Sequence, residues 1–339
     1  MLKKLFDVCI LDWNSVASQT LKSNPVIPLC TRPVILSEKS LIILGTRSIP
    51  LQPSYLKHEL FAVSFSDCLS HTPMTLQWNG YVTTCAIDDV ISISSDKIVA
   101  AFEDSSLHFF QIENDQLLLI DSITKSHLQS NEESLTKATI REMAYSINDK
   151  TLWCAHEDGS LTQYHILSGQ WMNWSPIRHS FSSIQVVDSV PHMITTSTDY
   201  GIFYAWDIRQ RREAFHWNAH KQEMFSHHVK ENDIVMGYGD GYLSLLDMRC
   251  WDDDDQQQNH VTWITTGMKA IGNICHFDNC PRWCLFGSPS SEVWTWNPYK
   301  SNDDHQHSYA TRLWKVTCQE NDYSFYAMQG KLKMFLFYG

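Results

Sequence analysis

What most constrains this chain is a turn motif that recurs along it. A turn residue, usually Asp, is followed by a small residue, then by an apolar residue three places on and an aromatic or apolar residue six places on. Asp104-Ser105 with Leu107 and Phe110, Asp158-Gly159 with Leu161 and Tyr164, and Asp240-Gly241 with Leu243 and Leu246 all fit. Tyr200-Gly201 with Phe203 and Trp206 fits with its acid displaced to Asp199, and Ser290-Ser291 with Val293 and Trp296, then Gln329-Gly330 with Leu332 and Phe335, continue the series. The anchors at 104, 158, 200, 240, 290 and 329 lie 54, 42, 40, 50 and 39 residues apart. A period of about forty to forty-five residues, each holding several short apolar strands, means a repeat architecture in which neighbouring units bury one another's faces.

The motif has a local cause. A tight turn between adjacent strands favours Gly or Asp, which tolerate or hydrogen-bond the turn backbone, and alternation after it sends one face of the strand into the core. The clearest pair of units runs from Ile194 to Arg249. One ends in Trp206-Asp207-Ile208-Arg209, and a polar turn then leads through Ala219-His220 to the next, which ends in Leu246-Asp247-Met248-Arg249. This pattern resembles the WD-repeat β-propellers, and the resemblance implies an all-β fold of seven blades, or six, over one domain spanning 1–339. In that family a His, a Ser or Thr, the turn Asp and the Trp form a hydrogen-bonded tetrad within each blade. Here the set is incomplete: His220 and Asp240 meet Leu246 at the Trp position, and Trp206 meets Tyr200 at the Asp position. Apolar packing is therefore expected to hold the blades.

Strands are expected in successive groups. Leu5–Trp13, Leu41–Gly45 and Leu60–Phe65 read as the first repeat, with Pro-containing loops at Pro25–Pro33 and Pro50–Pro53 outside the sheet, because Pro disfavours central strand positions. The second repeat is read over Asp89–Ile123, the third over Ile140–Ile177, the fourth over Ser183–Trp217, the fifth over Met224–Thr265 and the sixth over Ile271–Thr317. Tyr323–Met328 and Leu332–Tyr338 form the last, which a strand from the N-terminus is expected to complete, removing exposed sheet edges. Three polar insertions, near 125–137, 250–260 and 300–308, are placed on the surface.

Composition narrows the class. The 339 residues include 43% hydrophobic types with 13 Trp, 13 Tyr and 15 Phe, enough for a large core and contrary to disorder. The 26 Lys and Arg against 38 Asp and Glu give a net charge of −12, which opposes approach to a polyphosphate backbone or an anionic membrane. Direct nucleic-acid binding and membrane insertion are therefore not expected. The ten cysteines are scattered without a secretory framework, and the N-terminal apolar run is broken by Asp7 and Asp12, so reduced thiols in the nucleus or cytoplasm are expected.

Each candidate site has a plainer reading. Arg209, Arg211 and Arg212 form the best basic cluster, yet read as a solvated blade edge. Asp252–Asp255 concentrate charge in a loop, and Asp303, Asp304, His305 and His307 lack a metal-ligand spacing. Cys275, His276, Cys280 and Cys284 invite comparison with zinc sites, but Cys275 and His276 would face opposite sides of a strand. His220, His227 and His228 read as structural, and no phosphate-binding loop, nucleophile elbow or H-E-x-x-H is present. No catalytic residue, cofactor or metal is expected.

Among WD-repeat proteins the chain is similar to the small nucleoporins of the Y-shaped outer-ring complex of the nuclear pore. The similarity is carried by DKIVAAFEDSSLHFF, IQVVDSVPHMITTSTDYGIFYAWDIRQ, GDGYLSLLDMR and SEVWTWN. It implies a scaffold bound to other proteins in a stable multi-subunit complex at the nuclear envelope, with the cytoplasm as the alternative. AHKQEMF followed by DIVMGYGDGYLSLLDMR also resembles the WD-repeat methylesterase of the diphthamide pathway. Trp206-Asp207-Ile208-Arg209 resembles the W-D-x-R box, here Trp206, Asp207 and Arg209, by which substrate receptors of cullin-type ubiquitin ligases hold their adaptor.

Overall fold

A computed structural model describes residues 7–12, 28–30, 34–36, 41–48, 58–64, 79–114, 116–124, 138–174, 177–218, 223–250, 261–276, 283–287, 292–296, 311–315, 324–329 and 333–338. The three polar insertions and His220 lie outside them. The chain divides into two compact units. One comprises Met1–Leu152, His165–Trp171 and Cys318–Gly339, and the other Trp153–Tyr164 and Met172–Thr317.

In the first unit, β1 (Asp7–Asp12) lies parallel beside β28 (Lys333–Tyr338), which pairs in turn with β27 (Ser324–Gln329). The N-terminal strand thus completes the last sheet, as expected of a strand from the N-terminus, and is not part of the first repeat. Alternation of side chains marks a strand but does not name its partner, which here is more than three hundred positions away. The first sheet instead recruits β2 (Pro28–Cys30) and β3 (Val34–Leu36) from chain expected to be partly loop. Both line the same edge of β4 (Leu41–Ser48), one against each half, and β5 (His58–Ser64) and β6 (Asn79–Thr83) follow. Pro28 is tolerated because it opens a three-residue strand, a position where its missing N–H breaks no central ladder. The next sheet has the order β10-β9-β8-β7, from β7 (Ile87–Ser92), β8 (Lys97–Phe102), β9 (Leu107–Glu113) and β10 (Gln116–Ile123). Ile43, Leu60, Val90, Ile98, Phe102 and Phe110 fill its core.

Another sheet contains β11 (Ile140–Ser146), β12 (Thr151–His156), β13 (Leu161–His165) and β14 (Gln170–Trp174). The second unit holds three more: β15 (Phe181–Val186) to β18 (Arg212–Asn218), β19 (Met224–Lys230) to β22 (Val261–Thr265), and β23 (Ile271–His276) to β26 (Thr311–Lys315), each four antiparallel strands in sequence order. The intervening strands are β16 (Met193–Thr198), β17 (Ile202–Asp207), β20 (Asp233–Tyr238), β21 (Tyr242–Asp247), β24 (Trp283–Gly287) and β25 (Glu292–Trp296). Strands of consecutive number with short turns between them are what a forty-residue repeat of alternating apolar residues produces.

The recurring turn has one geometry. Ser105, Gly159, Gly201 and Gly241 donate their N–H groups to Phe102, His156, Thr198 and Tyr238, three residues back, and each has a positive φ between 64° and 81°. That left-handed conformation explains the small residue after each turn acid. The acid caps the turn from its other side, since Asp104, Asp158 and Asp240 each accept the N–H two residues on. In the corresponding turns Ser290, Ser291 and Gly330 lie outside the described residues. Past each described turn, Leu107, Leu161, Phe203 and Leu243 are fully buried, as are Phe110, Trp206 and Leu246, with Tyr164 nearly so.

A second repeated device is a β-bulge one residue into the first strand of a sheet. The register shifts between Ile87 and Asp89, Phe181 and Ser183, Met224 and Ser226, and Ile271 and Asn273. A bulge raises the local twist, which suits the strand entering each new sheet.

Candidate interaction surface

Several polar residues of the second unit's core pair with one another, whereas the indole nitrogens of Trp153, Trp217 and Trp283 and the hydroxyls of Ser180 and Ser226 are buried without a hydrogen-bond partner among the described residues. Along β16 the four hydroxyl residues Thr195, Thr196, Ser197 and Thr198 are all fully buried. Trp206 donates its Nε1 hydrogen to Thr196 Oγ1 at 2.9 Å, and Thr198 accepts the N–H of Ile202. His227 lies between Thr195 Oγ1, 2.9 Å from its Nε2, and Ser197 Oγ, 3.1 Å from its Nδ1, and Ser197 also meets Ser182 Oγ at 2.9 Å. Burial and the neighbouring His228 push His227 down to about 3, so the ring is neutral with one donor and one acceptor nitrogen. Thr195 and Ser197 have no solvent exposure, so this trio fastens β19 to β16 instead of presenting a nucleophile. Gln185 adds an amide clasp, accepting the N–H of Val229 and donating to its carbonyl.

These bonds add to the apolar packing expected to be the main hold on the repeats. Trp206 keeps its hydroxyl partner despite lacking an Asp at the turn position. In the next repeat, where Leu246 replaces the Trp, Tyr238 takes over the polar role through a 3.0 Å contact with Ser244. His156 and Thr162 form a further buried pair at 2.9 Å. Trp206 also stacks on Tyr204, with ring centroids 5.0 Å apart and 17° between planes, and meets the edge of Trp174.

Asp104 behaves as a turn cap. Burial alone would raise its carboxyl, but hydrogen bonds from Ser106 outweigh that and hold it below the usual range. Asp207 and Asp247 form matching surface forks. Each accepts the N–H of the Arg two residues on, and the Arg209 and Arg249 side chains fold back onto the carboxylates. Those arginines remain 64% and 71% exposed, which makes the forks weak in energy and available to a partner. Arg211 is exposed and reaches Met172 Sδ. Trp296 is buried in the core around Leu243, Ile271 and Trp283.

Of the candidate metal-binding groups, Asp252–Asp255, Asp303, Asp304, His305 and His307 lie outside the described residues. Among the described residues no cluster of three or more His, Cys, Asp or Glu could hold a metal ion. Cys275 and Cys284 stand opposite in the β23–β24 ladder, and Cys280 lies outside the described residues. His276 is turned to Lys230, whose ammonium donates to its Nδ1 at 2.6 Å, and to the edge of Trp283. No described helix is long and apolar enough to cross a membrane.

The large apolar side chains exposed in the second unit are, among the described residues, Met172, Tyr200, Phe225, Tyr242 and Trp263. Tyr200, Phe225 and Tyr242 are exposed at the turn end of the second unit, where Asp199, Glu223 and Asp240 also lie. Tyr200 was legible only as a misfit at the turn-acid position, and Phe225 as the extra residue of a bulge.

Among family models and curated proteins none matches the sequence. The fold is similar to a chain in the crystal structure of the Mitotic Checkpoint Complex, with a TM-score of 0.63 and 8% identity, covering 88% of this chain and 82% of that one. In all, 1643 solved chains match, so the likeness marks a widely used architecture and selects no activity. The fold is that of a β-propeller.

Proposed function

We propose that this propeller is a non-enzymatic scaffold for protein–protein interaction, held in a stable multi-subunit complex, and that its specific role is that of a structural nucleoporin of the nuclear-pore outer ring. The observation that carries the scaffold reading is the division of chemistry in the second unit. Thr195, Thr196, Ser197, His227 and Trp206 are paired in its core, while the turns present aromatic rings and charged forks to solvent. Such a surface suits protein binding. The similar chain in the Mitotic Checkpoint Complex also works within an assembly of proteins. The outer-ring role rests on the sequence similarity set out above, and it places the protein at the nuclear envelope, with the cytoplasm as the alternative.

A second reading is favoured by the exposed Asp207–Arg209 fork following Trp206, the arrangement expected of an adaptor-binding box in a ubiquitin-ligase receptor. One experiment separates the readings. The tagged full-length chain is purified from its own cells and imaged there. Stoichiometric outer-ring nucleoporins and a nuclear rim support the proposal. A cullin adaptor supports the receptor reading, and a lone, diffuse protein accompanied by translation elongation factor returns the methylesterase to the front.

A further inference from the structure

The turn end of the second unit combines exposed rings with unbalanced charge. Tyr200 is 63% exposed, Phe225 39% and Tyr242 37%, all large side chains that a folded protein rarely leaves together in water without use. They share one end for a structural reason. His227 ties β19 to β16 through Ser197, so the residues two steps beyond on each strand, Phe225 and Asp199, emerge on the same side, and Tyr200 follows Asp199. Phe225 is fixed by its bulge and lies across Gly239, where a Cβ would sit 3.2 Å from the ring. Gly239 donates its N–H to the main-chain carbonyl of Glu223, and Tyr242 donates its own to the Asp240 carboxylate, so the backbone of Glu223 and the side chain of Asp240 lie at this end. The turn at Gly159 packs on the carbonyls of Ile177 and His179, and His179 faces Tyr200 at 4.6 Å, so Glu157 and Asp158 join this end. Among the described residues it carries the carboxylates of Glu157, Asp158, Asp199, Glu223 and Asp240 against the cations Arg178 and Lys269.

We infer that this end is a docking surface for an arginine-rich, basic segment of a partner protein, its guanidinium groups lying over Tyr200, Phe225 and Tyr242 while Asp199, Glu223 and Asp240 supply the countercharge. Rings alone would suit any apolar partner, and acids alone would be ordinary surface. Interleaved, they match a cation with a flat face that stacks and hydrogen-bonds together, as guanidinium does and ammonium does less well. The chain's net charge of −12 adds a long-range attraction for the same partner.

This inference rests on the scaffold reading and has its own test. The full-length protein is titrated into a fluorescein-labelled Gly-Ser-Arg-Gly-Arg-Ser-Arg-Gly peptide and its citrulline counterpart, and anisotropy is read at low and high salt. Saturable binding is expected, weakened about tenfold in the citrulline peptide and about tenfold by Tyr200→Ser or Phe225→Ser. A loss of about threefold is expected for Glu223→Gln, with affinity falling as salt rises. Arg249→Ala, at the other end of its sheet, should leave affinity unchanged. All four substitutions are at exposed positions, and matching melting midpoints certify the folds. Equal binding of both peptides, no saturable binding, or indifference to Tyr200→Ser would overturn the inference. A protein that fails with the peptide yet still purifies with stoichiometric partners removes this surface and leaves the scaffold standing.

Discussion

The sheets β15–β18 and β19–β22 are adjacent repeats with the same turn, the same entry bulge and the same burial plan, yet their interiors differ. The first buries Trp206 against Thr196, while the second buries Leu246 and satisfies its polar core through Tyr238 and Ser244. The comparison teaches that the repeat is defined by backbone geometry, which a left-handed turn residue enforces, and that the buried polar pair can be recast with a different donor.

The sharpest way to break that comparison is to truncate the two equivalent core positions. Trp206→Ala should destabilise by about 3–5 kcal/mol and Leu246→Ala by about 2–4 kcal/mol, because both empty a packed site and the indole also takes a hydrogen-bond donor with it. Urea unfolding reads both, and an unchanged midpoint for Trp206→Ala would remove it from the core. The turn is next. Gly241 has φ +80°, and a Cβ there would fall 1.9 Å from the Met268 carbonyl oxygen. Gly267 has φ +77° with nothing within 4 Å. Gly241→Ala should therefore cost roughly 2–4 kcal/mol and Gly267→Ala about 1 kcal/mol, since only the first adds a backbone clash to left-handed strain. Equal losses would mean that conformation alone matters.

The link between the two repeats is open to pH. His227 sits at about 3 in the fold, below the ordinary value near 6.5. As pH falls, the unfolded chain takes up this proton first, so the stabilisation is full above about 6.5 and shrinks toward 3. Between pH 7 and pH 5 the parent should lose about 2 kcal/mol more than His227→Gln, which cannot titrate. Parallel stability profiles would show that His227 is not held neutral. The smallest effect concerns the recast pair. Tyr238→Phe strands the buried Ser244 hydroxyl and should cost about 1–2 kcal/mol, similar to Thr196→Val in the neighbouring sheet. A neutral Tyr238→Phe would mean that Ser244 has another partner.

The sequence made the turns legible because their causes are local. An acid that caps the N–H two residues on and a small residue that accepts positive φ are chemical demands within four positions, and both appear in the letters. Strand groups from Ile87 to Trp296 follow, since alternation and spacing agree there. The pairings of β2 and β3 were not legible, because an edge strand's partner depends on where the chain on either side of a loop arrives. The His227 network was hidden for the same reason: its hydroxyl partners stand 30 and 32 positions away in another repeat, and His, Thr and Ser are ordinary residues until they meet. The exposed rings were hidden differently, as apolar letters that period-two reading assigns to the interior.

The central claim is that this propeller exists to hold other proteins, and the most direct measurement is the native mass of the endogenous chain in a gently prepared lysate. A single assembly many times the mass of one chain, dispersed by high salt into smaller stable pieces, is the predicted result. A chain that migrates at its own mass in every preparation would contradict the account.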